Sequence, residues 1–310
     1  MLPSMPAAIK LWSGALVKFF YNPSCLALKK IINHMNLIIQ GLDVNNSDLR
    51  ALAKLSQADG IERITGQAFR LTNAAHSNDI SEYCTQAELD FAFVNADLKL
   101  VDFKLIAMDM DSTLLAIESI DEIADMHDIK SQVAAITLQT MQGEISFEES
   151  LTRRTALLRG LHYDALQKVY DERVKLNPGA EKMLQQAKLA GLKTMVISGG
   201  FTFFTDRIKA RLGFDFSAAN VLEIEENRLT GKVVGEIIGR QGKAQVLNQI
   251  RDELGIKREQ IIAIGDGAND LGMMTEAGIS IAYHAKPIVR DHATYAIEYV
   301  GLDGVINLFK

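Results

Sequence analysis

The chain has 310 residues, of which 48% are hydrophobic and 23% charged, and its formal net charge is −6. These values exclude a disordered or fibrous chain and describe a globular protein with one large core and room for a smaller domain. An acidic balance gives no electrostatic footprint for nucleic acid. Because Cys25 and Cys84 are the only cysteines, we predict no disulfide framework and a reducing, cytoplasmic setting.

The first 34 residues differ from the rest of the chain. The apolar run 15–21 is broken by Lys18, and Pro23 follows closely. No uncharged run approaches the roughly 18 residues that a membrane helix needs, and Lys10 also interrupts any signal-peptide pattern. We therefore predict no membrane association. Residues 1–34 are interpreted either as a poorly ordered extension or as the product of an upstream start codon.

Residues 35–97 are predicted to form a small α+β domain. Hydrophobic periodicity and capping residues predict a strand at 36–41, a helix at 46–57, a bent strand or hairpin at 61–71, a helix at 81–89 and a strand at 90–95. The order β-α-β-β-α-β is ferredoxin-like. It is similar to that of ACT-type regulatory domains, which bind amino acids. We favour a structural or dimerisation role, which leaves a homodimer as an open alternative.

Two carboxylates stand one residue apart directly after the next predicted strand. The run LIAM at 105–108 is typical of a strand buried in a parallel sheet, and Asp109 and Asp111 follow it. Because their side chains point roughly the same way, they repel each other and gain nothing for the fold. A bound divalent cation would offset the repulsion, and one carboxylate could then act as a nucleophile while the other transfers protons. The alternative is an acidic turn that caps the following helix.

Three fragments downstream favour the first interpretation. Ser198 ends a β-rich run and precedes two glycines, a composition that lets a hydroxyl and backbone N–H groups approach an anion. Lys243 stands near a predicted helix start, where a bound phosphate would explain a cation. Asp266 and Asp270 follow an apolar run and suit a hard cation. Each has an ordinary structural explanation when taken singly, but together they complete a phosphoryl-transfer site at the carboxyl edge of an open α/β sheet.

The fragments form an ordered motif series, which reads DMDST (109–113), SGG (198–200), a lysine at 243 and GDGAND (265–270). This series resembles that of the haloacid dehalogenase-like (HAD) phosphohydrolases. With Glu118 and Arg154 added, it resembles the phosphoserine phosphatases of that superfamily. The resemblance implies an α/β fold with a Rossmannoid parallel-sheet core over 98–310. It also implies a helical cap inserted after the first strand, at about 115–185, where apolar residues recur at helical spacing.

The resemblance also implies a reaction and a role for each residue. The substrate would be O-phospho-L-serine, hydrolysed with Mg²⁺ through an aspartyl-phosphate as the last step of serine biosynthesis. Glu118 would hold the substrate ammonium and Arg154 its carboxylate, whose geometry an arginine fork matches, although the neighbouring Arg153 leaves the register open. The implied catalytic residues are Asp109, Asp111, Ser198 and Lys243, the substrate-binding residues are Glu118, Arg154, Ser198, Gly199, Lys243 and Asn269, and the metal ligands are Asp109, Asp111, Asp266 and Asp270.

Two other kinds of function stay open at this point. One is a capped phosphatase or phosphotransferase for a different substrate, such as phosphohomoserine or a small phosphosugar. The other is a non-catalytic amino-acid sensor whose functional part is the amino-terminal domain. The motif carboxylates and Lys243 argue against a sensor, because a sensor does not need so costly a cluster of charges.

Overall fold

A computed structural model describes residues 35–310, so the interpretations of residues 1–34 lie outside the described part of the chain. The described residues form two β-sheets with helices packed on them. The strands are Met35–Gln40 (β1), Gly60–Arg63 (β2), Ala68–Thr72 (β3), Asp90–Asn95 (β4), Leu105–Met108 (β5), Lys193–Phe201 (β6), Phe216–Glu225 (β7), Arg228–Val234 (β8), Ile261–Gly265 (β9), Ile279–Tyr283 (β10) and Tyr295–Ile297 (β11). The α-helices are Asn46–Leu55 (α1), Asn78–Gln86 (α2), Ser119–Met126 (α3), Lys130–Met141 (α4), Phe147–Ala156 (α5), Asp164–Arg173 (α6), Ala180–Leu189 (α7), Thr202–Leu212 (α8), Arg240–Leu254 (α9), Leu271–Thr275 (α10) and Pro287–Arg290 (α11).

The smaller sheet is antiparallel, with strand order β2-β3-β1-β4. Its elements follow the predicted order β-α-β-β-α-β, and the stretch 61–71 forms a hairpin. Helix α2 begins at Asn78, earlier than predicted, because the Ser77 side chain accepts a hydrogen bond from the backbone N–H of Asp79 and caps the helix there. Both helices cover one face of the sheet, where Leu37 and Ile39 are fully buried.

The other face of the smaller sheet packs against the carboxyl-terminal end of the same chain. Ile38 and Val94 on this face join a core cluster that includes Phe309. At the start of β4 the carboxylate of Asp90 accepts hydrogen bonds from three successive backbone N–H groups, at residues 298–300, over 2.6–3.1 Å. This face is therefore covered within one chain, and the dimerisation role favoured from the sequence would need a different surface.

The larger sheet has strand order β11-β10-β9-β5-β6-β7-β8, and all its strands are parallel except β8. Strand β5 lies between β6 and β9, and its four side chains are all buried. Because parallel strands end at the same edge, the polar residues that follow β5, β6 and β9 meet there. Helix α8 follows β6, and β7 and β8 form an antiparallel hairpin. No helix within residues 35–310 combines the length and apolar character needed to cross a membrane.

Helices α3 to α6 form a cap between β5 and α7, and two paired linkers join this cap to the core. The backbone N–H of Ala116 donates to the carbonyl of Lys175 at 2.9 Å. The N–H of Asn177 donates to the carbonyl of Leu114, also at 2.9 Å. Helix α7 packs on β6 and on the carboxyl-terminal 3₁₀ helix Leu302–Leu308, so its first turns lie with the core although the predicted cap range includes them.

A second attachment ties the cap to the β7–β8 hairpin of the core. The turn between α5 and α6 pairs with β8, because the N–H of Gly160 donates to the carbonyl of Leu229 at 2.8 Å and the N–H of Leu229 donates to Leu161 at 2.9 Å. The N–H of Tyr163 donates to Asn227 at 2.8 Å. The cap is thus held at its linkers and at the hairpin, over the carboxyl ends of β5 and β6.

Candidate active site

The loop after β5 places two buried carboxylates at the edge of the sheet. The chain makes one irregular helical turn, Met110–Leu114, in which Ser112 has a left-handed φ of +57°. Asp109 accepts a hydrogen bond from the N–H of Met110 at 2.7 Å. Asp111 accepts two from Ser119, from its N–H at 2.9 Å and its hydroxyl at 3.1 Å. The beginning of helix α3 therefore orients the second carboxylate of the pair.

Lys243 joins the motif fragments at the centre of the site. Its side chain is fully buried in the first turn of α9, and its Nζ lies 2.8 Å from Asp109 Oδ1 and 2.6 Å from Asp270 Oδ1. Burial acts to lower the pKa of Lys243, but the charges of Asp109 and Asp270 outweigh it and hold the pKa above its usual value. Lys243 therefore stays positively charged. Its two carboxylate partners explain why a cation is tolerated near a helix amino terminus.

The carboxylates around Lys243 carry more negative charge than one lysine neutralises. Burial, followed by the charge of Asp270, raises the pKa of Asp109 well above its usual value. The same two causes raise the pKa of Asp266 to about 7. Burial and the charge of Glu118 raise the pKa of Asp111 to about 7, against hydrogen bonds from Ser119 that lower it. The site therefore favours either protonation or a bound cation.

Three of these carboxylates are arranged to hold a metal ion. Single oxygens of Asp109, Asp266 and Asp270 all lie within 4.8 Å of one another, and hard divalent cations prefer oxygen ligands. Both oxygens of Asp270 are engaged, since Oδ1 pairs with Lys243 and Oδ2 accepts the N–H groups of Asp266 at 3.1 Å and Gly267 at 2.9 Å. Asp109 and Asp266 are consequently better placed as direct ligands, and Asp270 orients them.

The end of β6 supplies the polar side of an anion site. Ser198 is fully buried, donates its hydroxyl towards Asp111 Oδ2 at 3.5 Å and accepts the N–H of Gly200 at 2.8 Å. A Cβ at Gly200 would stand 2.7 Å from Asp111 Oδ2. The loop after β5, residues 109–115, is called the catalytic loop. Its close approach requires the second glycine of the SGG motif.

The first glycine of that motif makes room for the cap. A Cβ at Gly199 would stand 2.6 Å from the ring of Phe147, at the start of α5. The carbonyl of Gly199 accepts the side-chain amide of Asn220 at 2.9 Å, and Asn220 in turn accepts the N–H of Ile238 at 2.7 Å. An aromatic side chain of the cap thus closes directly on the backbone that would face a phosphate.

Glu118 and Arg154 bring opposite charges to the cap side of the site. Arg154 is only 9% exposed, and no carboxylate of residues 35–310 lies within ion-pair distance of its guanidinium. Burial lowers the pKa of Arg154, against the charges of Asp121 and Glu118. Arg153 points outwards and pairs with Glu149. Of the two arginines, Arg154 is therefore the one that faces the site.

Asn269 lies in the turn after β9 with its side-chain oxygen against Gly267. Within residues 35–310 its side chain makes no hydrogen bond with Lys243, because Lys243 is held by Asp109 and Asp270. A contact between Asn269 and a bound phosphate stays a prediction.

Several polar residues contact the site but are not among the site residues predicted from the sequence. Thr113 donates its hydroxyl to Asp266 at 2.7 Å. The position of Thr113 in the DMDST motif could have indicated that it contacts the site. Ser112 donates to Glu118 Oε1, also at 2.7 Å. Ser119 bonds Asp111 eight residues before it in the chain. Asn177 and Asn220 act across 64 and 21 residues, without a local signal in the sequence.

Known proteins are similar to this chain in sequence and in fold. The model of the haloacid dehalogenase-like hydrolases matches residues 103–278, and that of a domain of unknown function, DUF4072, matches residues 37–80. Phosphoserine phosphatase of Polaromonas sp. is 53% identical over 219 residues, which are 69% of this chain and 93% of that protein.

Solved structures show the same likeness. A HAD family hydrolase from Salmonella enterica serovar Typhi superposes with a TM-score of 0.81 at 34% identity, over 89% of this chain and 99% of that one. A phosphoserine phosphatase solved as a phospho-aspartyl intermediate analogue superposes with a TM-score of 0.64 at 38% identity, over 67% of this chain and 99% of that one. The chain belongs to the haloacid dehalogenase-like hydrolase family. Within that family it is an enzyme of the phosphoserine phosphatase group.

Proposed function

We propose that this protein hydrolyses O-phospho-L-serine to L-serine and phosphate, with Mg²⁺ and through an aspartyl-phosphate, as the last step of serine biosynthesis. The observation that carries the proposal is a buried Asp109 held by Lys243 beside a second carboxylate, together with a buried cap arginine, Arg154, that has no carboxylate partner within residues 35–310. The buried Asp109 with its lysine suits phosphoryl transfer to a carboxylate. The cap arginine suits a small substrate that carries its own carboxylate.

Asp109 is the nucleophile and Asp111 the acid–base group in this mechanism. Oδ1 of Asp109 is engaged by Lys243 and by the N–H of Met110, which leaves Oδ2 to attack phosphorus in line. As the bond between phosphorus and the serine oxygen breaks, Asp111 donates a proton to that oxygen. A pKa of about 7 keeps a protonated fraction of Asp111 available near neutral pH. Asp111 then takes a proton from the water that hydrolyses the aspartyl-phosphate.

Fixed positive charge and hydrogen-bond donors stabilise the phosphoryl oxygens. Lys243 supplies the charge, and the hydroxyl of Ser198 with the N–H of Gly199 supplies donors in a buried setting. Such preorganised groups contribute most of the catalysis in phosphoryl transfer. The cap, closed through Phe147 on the SGG backbone, excludes bulk water during the attack.

The acidic cluster fits Mg²⁺. Asp109 and Asp266 would hold the ion together with the backbone carbonyl of Asp111, while Asp270 orients the cluster through its contacts with Lys243 and the turn. When bound, the ion supplies charge that offsets the phosphoryl oxygens and the mutual repulsion of the carboxylates. We also propose a cytoplasmic enzyme with a small domain at 35–97 and the catalytic unit at 98–310. No membrane or nucleic-acid partner is proposed.

Changing Arg154 to Ala tests the substrate. Because the guanidinium would be the partner of the substrate carboxylate, its loss should cost about 2–5 kcal/mol of transition-state binding. We expect a large fall in kcat/KM for O-phosphoserine and a much smaller one for an aryl phosphate, which has no carboxylate. Phosphate release from both substrates measures the difference.

The matched control is Arg153→Ala, since Arg153 lies next in sequence but pairs with Glu149 on the surface. This variant should change neither substrate appreciably. An equal fall in kcat/KM for both substrates in Arg154→Ala would show that Arg154 acts on the phosphate or on the fold. A panel that includes phosphohomoserine and small phosphosugars distinguishes the alternative substrates. Phosphosugars have no carboxylate and should not depend on Arg154, whereas phosphohomoserine has one and is distinguished from phosphoserine by a lower kcat/KM in the wild type.

Removal of divalent cations should abolish activity, and Mg²⁺ should restore it. Ca²⁺ should restore little, because it takes more ligands at longer distances and would loosen the in-line geometry. Phosphate release is measured in chelator, then after addition of each ion. Full activity in excess chelator, with metal content shown to be nil, would contradict the metal role.

A further inference from the structure

One side chain of the linker that returns from the cap is bonded to the catalytic loop. The Nδ2 of Asn177 lies 3.2 Å from the carbonyl oxygen of Ser112, 2.8 Å from that of Thr113 and 3.2 Å from that of Leu115. Its own backbone N–H donates to the carbonyl of Leu114. Two amide hydrogens are therefore shared among three carbonyl oxygens, and a fourth carbonyl of the same loop is bonded by the backbone.

These carbonyls have few other partners because the loop is not a regular helix. Asp111 has an extended backbone and Ser112 a left-handed one, so the carbonyls at 112, 113 and 115 converge instead of aligning along an axis. A convergent set of acceptors in a largely buried loop needs a donor between them. The amide of Asn177, which is half-buried, is placed there.

The same loop carries each kind of group that the proposed reaction needs. Asp111 lies at its beginning, Thr113 bonds the carboxylate of Asp266, and Ser112 bonds that of Glu118. A shift of the loop would move the acid–base group, a metal ligand and a substrate-binding residue together. Displacements of about 1 Å in such groups can cost about 100-fold in rate.

We propose that Asn177 is a positioning residue that sets the catalytic loop from the cap linker, an inference that rests on the proposed function for its substrate only. Its amide holds the loop while the paired linkers hold the cap. The geometry of the nucleophile side of the site thus depends on a residue that touches neither phosphate nor metal.

The test is a graded series at position 177. Asn177→Leu removes both side-chain N–H donors at similar volume, and Asn177→Thr keeps one hydroxyl donor. The control is Asn307→Leu, which removes the amide that donates to Gln40 Oε1 at 2.8 Å, far from the site at the contact of the two sheets. Turnover of O-phosphoserine and of an aryl phosphate is measured with hydrogen–deuterium exchange of peptides covering 109–117.

We expect kcat to fall about 10- to 100-fold in Asn177→Leu for both substrates, and we expect the kcat of Asn177→Thr to lie between those of Asn177→Leu and the wild type. Exchange at 109–117 should rise in Asn177→Leu and stay as in the wild type in the control. Wild-type kcat in Asn177→Leu, or a loss no greater than that of the control, would overturn the inference. If Asn177→Leu does not fold, the same comparison is made with Asn177→Thr. Failure of the wild type on O-phosphoserine alone would refute the substrate and leave the aryl phosphate result to decide on Asn177.

Discussion

Asn at position 109 should abolish turnover while the protein stays folded. The amide of Asp109→Asn is nearly isosteric with the carboxylate but cannot attack phosphorus, so phosphate release should fall by about 10³-fold or more. The fold should survive, because the substitution removes one charge from a buried cluster of repelling carboxylates while Lys243 keeps its pair with Asp270. Phosphate release and thermal unfolding of the purified variant are the measurements.

A suitable control for Asp109→Asn is Asp125→Asn, because Asp125 lies on the cap surface and forms ion pairs there with Lys130 and Arg173. Activity of the control should match the wild type. Beryllium or aluminium fluoride should protect the wild type against thermal unfolding and should not protect Asp109→Asn, since these anions mimic a phosphoryl group on the nucleophile. Phosphate release near the wild-type rate would refute the assignment of Asp109.

Lys243→Met should be damaging to both stability and catalysis. The substitution keeps the length of the side chain but leaves Asp109 and Asp270 buried without their cation. Breaking a buried ion pair in this way costs about 3–5 kcal/mol of unfolding free energy, and the lost charge should lower kcat by at least about 10²-fold. Denaturant unfolding and phosphate release measure the two losses.

Mg²⁺ should partly replace the charge that is lost in Lys243→Met. Because the variant has one positive charge fewer beside the same carboxylates, added Mg²⁺ should raise its unfolding free energy by more than it raises that of the wild type. The control is Lys193→Met, whose exposed ion pair with Asp215 should contribute no more than about 1 kcal/mol. Equal stability of Lys243→Met and the wild type without metal would show that the buried pairs contribute nothing.

The local features of this protein could be read from its sequence. Apolar runs that end in polar residues predicted β5, β6 and β9, and hydrophobic periodicity with capping residues predicted a helix at 46–57, which is α1 at Asn46–Leu55. Strand and helix periods act over a few residues, so they are visible in one segment at a time. The motif series was likewise readable, because parallel strands bring the residues at their carboxyl ends to a common edge.

Contacts between distant segments were decided only by the tertiary structure. The sequence left Arg153 and Arg154 open, and the packing of α5 on the core turned the second inwards and left the first on the surface. Nothing near Asn177 in the chain indicates that its amide bonds a loop more than 60 residues away, because a hydrogen bond across 62–65 residues follows from the meeting of two linkers. The division of work between Asp266 and Asp270 has the same origin, since it depends on which oxygen the buried Lys243 reaches. Sequence thus determined which chemical groups stand at the ends of the strands, and packing determined which way each one points.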